Sequence, residues 1–228
     1  PMQKPHPPVW VPGTASKETV VWAAKHRYPY IMLSSQLEPT REVFQTYYDA
    51  AAEAGYTAGP QNLGFMFWVH VEETEELAME VGRKLTQGVR SPFDPGVHRN
   101  PGWLMAPPGH TSREARARNR QMVAVDASGR TRAGARASFE DQVATNGMVV
   151  GTPDAVVARI TEILEYLRPG IIIFRTGDGT MTHEEQMRTL TLMGQEVMPR
   201  LREVADRLGL QGPHEVDPTT GESVGASS

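Results

Sequence analysis

The sequence VWVPGTASKETVVWAAKHRYPYIML (residues 9–33) decides the fold class of this chain. The apolar run at 9–11 stops at Pro12–Gly13, which predicts a buried strand that ends in a turn. Ser16 has the residue type of a helix N-cap, and the apolar periodicity carries the helix to about His26. Tyr30–Leu33 is a second apolar strand. The order is therefore strand, helix, strand.

The same order repeats twice more before residue 88. A helix opens near Pro39 and runs to about Ala54, with Gly55 as its left-handed stop. Leu63–Val71 is rich in aromatic and β-branched residues, which predicts a third strand. The four acids within residues 72–76 then favour a helix N-terminus.

The last part of the chain continues the alternation. Thr152 and Pro153 predict a helix start, and the helix runs to about Leu167. Ile171–Phe174 is a continuous apolar run, which predicts a strand buried on both faces. A capping-box pattern at residues 182–185 opens a final amphipathic helix.

Strands that alternate with helices in this way predict an α/β fold with parallel strands joined by right-handed crossovers. An eight-stranded TIM-type (β/α)8 barrel takes about 250 residues, so four strand–helix units with an insertion amount to about half of one. A small open sheet is the alternative. We expect a partial barrel domain over residues 1–210, an insertion at about 88–146 and a disordered tail over 211–228.

The insertion is strongly basic. Residues 83–136 contain eleven Lys or Arg against three acids, an excess of eight positive charges. This pattern is typical of a mobile lid that attracts an anionic ligand, and equally of a solvated surface with a helix at about 112–125. The insertion lacks interleaved aromatic residues and the whole chain carries a formal charge of -4, so we predict no nucleic-acid partner.

Composition excludes several other classes. The chain has 228 residues, 39% of them hydrophobic and 22% charged, which argues against a disordered or fibrous protein. The absence of cysteine excludes disulfides and thiolate metal sites, and the histidines show no metal-ligand spacing. We therefore expect no metal. No apolar stretch is long enough to span a membrane, and the proline-rich start does not resemble a signal peptide, so we expect a cytoplasmic protein.

The turn after the first strand is the most informative candidate site. It joins the carboxyl end of a parallel strand to a helix N-terminus, where free backbone N–H groups favour an anion. Ser16 and Thr19 lie three residues apart, so both hydroxyls can point at one phosphate. The alternative is an ordinary N-cap with Thr19 on the surface.

Three segments resemble the bacterial luciferase-like flavin-dependent monooxygenases, in the order in which that family has them. They are QKPHPPVWVPGTASKETVVWAAKHRYPYIMLSS (3–35), FWVHVEETEELAMEVGRKL (67–85), and VGTPDAVVARITEILEYLRPGIIIFRTGDGT (150–180) with EEQMRTLTLMGQEVMPRLRE (184–203). Together they cover about two thirds of the chain. The resemblance implies the second half of a (β/α)8 barrel.

The resemblance also implies a cofactor and its ligands. The family binds FMN at the carboxyl ends of the strands, usually reduced FMN supplied by a partner flavin reductase, while some relatives use a deazaflavin. The positions that match the flavin-phosphate site are Gly13, Ala15, Ser16 and Thr19. The family's commoner glycine-rich turn is replaced here by Pro12-Gly13-Thr14, which could alter the fit of the phosphate loop.

Other candidates come from the strand ends. His70 and Arg175 are weak catalytic candidates, and the alternatives are a hydrogen-bonded structural histidine and a structural ion pair. Ser34 and Trp68 are weak candidates for a substrate pocket, although core packing explains Trp68 equally well. The family's usual catalytic histidine belongs to the first half of the barrel, so no catalytic base is assigned.

We therefore expect a flavin-dependent oxidoreductase, a monooxygenase that uses reduced FMN and O2 to oxygenate a small organic substrate. The alternative is a non-catalytic, subunit-like member of the family. Half a barrel exposes two strand edges and an apolar interior face, so we expect a missing N-terminal half or a homo-oligomer partner.

Overall fold

The computed structural model describes residues 7–14, 16–33, 36–87, 138–177 and 179–216, together with residues 2 and 4. In these ranges the chain alternates strands and helices. The strands are β1 Val11–Gly13, β2 Tyr30–Leu33, β3 Leu63–Val71, β4 Met148–Gly151 and β5 Ile171–Arg175. The helices are α1 Lys17–Lys25, α2 Leu37–Glu53, α3 Glu75–Gly82, α4 Lys84–Gln87, α5 Phe139–Ala144, α6 Pro153–Leu167, α7 His183–Leu192 and α8 Met198–Leu208.

Every strand pair within the described residues is parallel. Residues 64–66 of β3 pair with both β2 and β5, so those two strands lie on opposite sides of β3. Trp68 pairs with both β4 and β5, so β4 lies on the same side of β3 as β2 does, beyond the carboxyl end of β2. The main sheet therefore runs β1–β2–β3–β5, which is the predicted set of four parallel strands, and β4 extends it.

The two faces of the sheet differ in what covers them. Phe65, Phe67, Val69 and Val71 are fully buried against a helix layer formed by α1, α2, α6 and α8. Met66 and Trp68 lie on the opposite face and are only half-buried. This second face is the one that points to the interior of a barrel.

A second, smaller core covers the interior face at the carboxyl ends of β3 and β4. It joins α3, α4 and α5 to the two strands, and its buried residues are Ala78, Val81, Leu85, Phe139, Val143, Met148, Val150 and Met181. The end of the predicted insertion is thus part of the fold. The rest of it, with the predicted lid and the helix at about 112–125, lies outside the described residues.

Two strand predictions need correction. The first strand is Val11–Gly13, because Val9 and Trp10 are exposed and Val11 is the first residue to pair with β2. Pro12 is tolerated because Val11 N–H, and not the nitrogen of Pro12, bonds across to the residue that precedes β2, and β2 is the one neighbour of β1 among the described strands. In β5, Ile172–Phe174 are half-buried and not buried on both faces, because β3 is the one described strand that pairs with it.

The carboxyl-terminal part of the chain packs further than expected. The predicted last helix is interrupted by a π turn at Met193–Val197 before α8. Leu210 and Val216 are buried beyond its end, so the packed chain extends past residue 210. Residues 217–228, the rest of the predicted tail, lie outside the described residues.

Candidate functional site

The turn after β1 leads directly into the N-terminus of α1. Ser16 has the extended backbone of an N-cap, yet its hydroxyl caps none of the described N–H groups and instead donates to Glu18 Oε2 at 2.9 Å. Ser16 and Thr19 are both half-exposed. Since the first-turn N–H groups of a helix have no partner within the helix, this turn can accept an anion.

Gly13 has a packing reason to be glycine. A Cβ at this position would lie 3.0 Å from the ring of the buried Tyr30 on the neighbouring strand. The close approach that the structure shows is therefore to Tyr30. The role of Gly13 beside a flavin stays a prediction, and Ala15 lies outside the described residues.

His70 lies near the carboxyl end of β3 and is fully buried. Its Nδ1 is 2.8 Å from the hydroxyl of Thr189 on α7, and that hydroxyl donates to the carbonyl of Val71 at 3.0 Å. Because the hydroxyl has a single proton to donate, Nδ1–H of His70 is the donor to Thr189. This contact ties α7 to the end of β3.

The second ring nitrogen of His70 is left without a hydrogen bond. Among the described residues Nε2 has no partner, and it lies 3.4 Å from Oε1 of Glu72. Burial lowers the pKa of His70 to about 4; the nearby Glu185 opposes this shift, and Arg188 and Lys84 add to it. His70 is therefore neutral near pH 7.

Glu72 is a buried carboxylate that the local sequence pattern does not reveal. It reads as the first of four acids at a helix start, but its side chain is fully buried. Arg188 binds both carboxylate oxygens, with Nε 3.1 Å from Oε2 and Nη2 3.3 Å from Oε1. The carboxylate in turn raises the pKa of Arg188. A polar network thus links β3 to α7.

Trp68 and Arg175 are cross-strand partners on β3 and β5. The guanidinium carbon of Arg175 lies over the indole ring of Trp68, 3.7 Å from its centroid. Trp68 packs against the second core, whereas Arg175 is exposed. The structure therefore brings together two of the predicted site residues, while Ser34 lies outside the described residues.

A surface groove of about 430 Å³ lies beside α7, away from the turn after β1. It is lined by Glu73, Glu184, Met187, Arg188, Thr191 and Leu192. Within the described part of the chain no group of three or more His, Asp or Glu side chains could hold a metal ion. In the same residues no helix has both the length and the apolar character that crossing a bilayer requires.

Comparison with known proteins identifies the family. The model of the luciferase-like monooxygenase family matches residues 1–168. This chain belongs to that family. As a luciferase-like protein it has the expected α/β fold, and the parallel sheet β1–β2–β3–β5 is part of a (β/α)8 barrel. A comparison with curated protein sequences found no match.

Two solved structures illustrate the fold likeness. Monooxygenase RslO1 from Streptomyces bottropensis is 20% identical with a TM-score of 0.58, covering 87% of this chain and 50% of that one. The oxygenating constituent of 3,6-diketocamphane monooxygenase from Pseudomonas putida, a type II Baeyer–Villiger monooxygenase solved with FMN, is 21% identical with a TM-score of 0.60. That match covers 85% of this chain and 49% of the other.

This luciferase-like chain therefore spans about half the length of the solved structures that it matches. The half in question carries the four parallel strands of the main sheet. In the described part of the chain, Leu33, Met66 and Ile173 on its interior face are only half-buried.

Proposed function

We propose that this chain is the flavin-phosphate-binding half of a flavin-dependent monooxygenase that uses reduced FMN and O2 to oxygenate a small organic substrate. The observation that carries the proposal is the turn from β1 into α1. There Ser16, whose hydroxyl caps no N–H group of the helix and donates to Glu18, stands one helical turn from Thr19 at the carboxyl edge of the sheet. The FMN bound by the structurally similar Pseudomonas putida protein supports the choice of cofactor. A deazaflavin is the alternative.

The residues of the turn suit a phosphate, except that one of them carries a negative charge. Ser16 and Thr19 offer hydroxyls, Lys17 offers a nearby cation, and the first turn of α1 offers backbone N–H groups. Glu18 opposes, because its carboxylate holds the Ser16 hydroxyl. Binding therefore requires the Ser16 hydroxyl to leave Glu18 and turn to the phosphate.

Reduced FMN, when bound, would supply the two electrons that reduce one atom of O2 to water while the other atom is transferred to the substrate. The protein's task is then to position the flavin and exclude water. In our proposal Ser16 and Thr19 anchor the phosphate, and a separate flavin reductase supplies the reduced cofactor. The apolar interior face formed by Leu33, Met66 and Ile173 provides a dry wall.

A Ser16→Ala, Thr19→Ala double variant is expected to weaken FMN binding about tenfold, because two hydrogen bonds to a charged group are lost. Riboflavin, which lacks the phosphate, should bind the variant and the parent chain equally well. Flavin fluorescence quenching measures both affinities.

Two further variants make this test specific. Thr46→Ala removes an exposed helix hydroxyl on α2 that bonds only its own helix, and should leave FMN affinity unchanged. Glu18→Gln removes the competing charge and should strengthen FMN binding severalfold. Equal weakening of FMN and riboflavin by the double variant would show that the phosphate lies elsewhere.

We further propose that the open interior face is covered by a second half-barrel, either a missing N-terminal half or a second copy of this chain. The face combines half-buried Leu33, Met66 and Ile173 with strand edges at β1 and β5 that have no described neighbour. Apolar faces and free edges of this kind associate readily. If a partner supplies the catalytic groups, this chain is the non-catalytic subunit.

Sedimentation velocity on the isolated chain is expected to show dimers or larger species at micromolar concentration. Ile173→Glu puts a charge on the interior face and should raise the dissociation constant about tenfold or more. Leu190→Glu changes an exposed leucine on α7 and serves as the matched control. A monomeric parent chain would contradict self-pairing, and tighter flavin binding on adding a separately expressed N-terminal half would identify that half as the partner.

A further inference from the structure

Neither core packing nor an ion pair with a described residue explains the position of Arg175 over the ring of Trp68. Arg175 is exposed at the carboxyl end of β5, and no carboxylate of the described residues forms a salt bridge with it. The structural ion pair that the sequence left open for Arg175 is therefore not formed with any described residue. Instead the guanidinium lies over the indole of Trp68 at 3.7 Å.

This arrangement holds in a fixed place a cation that has no carboxylate partner in the described part of the chain. Trp68 is anchored because it packs against the second core of buried side chains. Its cross-strand pairing with Arg175 sets the position of the arginine backbone. A guanidinium held over a ring face keeps its N–H donors in the guanidinium plane, where they can bind both oxygens of an oxyanion. Little side-chain entropy is left to lose on binding.

The surface next to the pair is apolar. Met66 and Ile173 are register partners one step further down the same face, about 7 Å along the strands from Trp68 and Arg175. Leu33 pairs with Met66 from the other side. All three are half-buried in this chain and lie on the face that lines the barrel interior, so a ligand enclosed there can contact them. The site therefore combines a cationic rim with an apolar floor.

The pair is distinct from the turn that we assign to the flavin phosphate. Arg175 on β5 and Gly13 on β1 are separated by β2 and β3, so three strand spacings of about 4.8 Å place them about 14 Å apart along the sheet. Arg175 also differs in its state from Arg188 on α7. Arg188 is committed to the buried Glu72, whereas Arg175 has no carboxylate partner among the described residues.

We propose that Arg175, held by Trp68, binds the oxyanion of the organic substrate, and that the substrate is an organic acid with an apolar body. The apolar body lies on Met66, Ile173 and Leu33. That the ligand is the substrate of an enzyme rests on the proposed flavin function. The oxyanion subsite itself depends only on the geometry of β3 and β5.

The test is calorimetric titration of the 228-residue chain with hexanoate, acetate and hexan-1-ol. Hexanoate carries both features that the site recognises, whereas acetate lacks the apolar body and hexanol lacks the charge. We expect hexanoate to bind at least about tenfold more tightly than either of the others. No preference for hexanoate would overturn the proposal.

Variants locate the binding. Arg175→Gln should weaken hexanoate about tenfold or more and leave hexanol unchanged, since only the charged contact is lost. The affinity of Arg175→Lys for hexanoate should lie between those of the parent chain and Arg175→Gln, because lysine keeps the charge but lacks the planar guanidinium. Arg200→Gln removes an exposed arginine on α8 and is the matched control. Equal effects of Arg175→Gln and Arg200→Gln would overturn the subsite.

FMN titration of the same variants separates this inference from the proposed function. Arg175→Gln should change FMN affinity by less than about twofold if the flavin phosphate lies at the turn after β1. If the variant loses FMN and keeps hexanoate, Arg175 belongs to the flavin and the inference is wrong. If the parent chain binds hexanoate through Arg175 but no FMN, the oxyanion subsite stands and the flavin function fails.

Discussion

Arg188→Ala is expected to lower the free energy of unfolding by about 2 to 3 kcal/mol, because it leaves a buried carboxylate without its partner. Glu72 is fully buried, and Arg188 binds both of its oxygens. The Arg188 side chain is 39% exposed, so water can reach the carboxylate in part, and the expected loss is below that of a wholly enclosed pair. Urea denaturation followed by far-UV circular dichroism measures the change.

Arg200→Ala is the matched control for this loss. Its ion pair with Asp154 has side chains 45% and 88% exposed, so we expect a change within about 0.5 kcal/mol. The combined Glu72→Met, Arg188→Leu variant should recover much of the stability, since no buried charge is left unpaired. Equal effects of Arg188→Ala and Arg200→Ala would show that the network does not stabilise the fold.

When the pH falls from 7 to 4, the free energy of unfolding of the parent chain is expected to drop by about 3 kcal/mol more than that of a His70→Gln variant. Burial lowers the pKa of His70 to about 4, below the 6.5 of the unfolded chain. Between these values the unfolded chain binds a proton that the folded chain does not. The stability is therefore present above pH 6.5 and is lost as the pH falls towards 4.

Denaturation curves of both proteins at half-unit pH intervals test this expectation, because the other six histidines contribute equally to the two slopes. Burial, which disfavours the protonated imidazole, decides the sign of the pKa shift of His70, and the nearby charged groups modify it. Arg188 and Lys84 disfavour its protonation, and Glu185 favours it. If protonated His70 instead paired with Glu72, the parent chain would gain stability relative to the variant on acidification, which would contradict the account.

The elements of the fold with local signals could be predicted from the sequence. Thr152 and Thr182 cap α6 and α7 with their side chains, as the residue types indicate. Gly55 has the expected left-handed backbone at φ 80°. The strand Met148–Gly151 was missed, because four residues next to a long insertion carry too little periodicity to distinguish a strand from a turn.

The candidate site depends on long-range pairing, which limits what the sequence can reveal. Trp68 and Arg175 are each recognisable as candidates, but their contact follows from the register of β3 and β5, which no local pattern encodes. The Glu72–Arg188 pair joins residues that are 116 positions apart, and in the sequence Glu72 looks like a solvated acid. Only tertiary packing makes it a buried one.

The most direct test of the central claim is an anaerobic titration of the parent chain with reduced FMN and with reduced riboflavin, repeated with the oxidised forms. We predict that FMN binds about tenfold more tightly than riboflavin in each redox state, because Ser16, Thr19 and the first turn of α1 hold the phosphate. Equal affinities for FMN and riboflavin, or binding of neither, would contradict a flavin-phosphate site at the turn after β1.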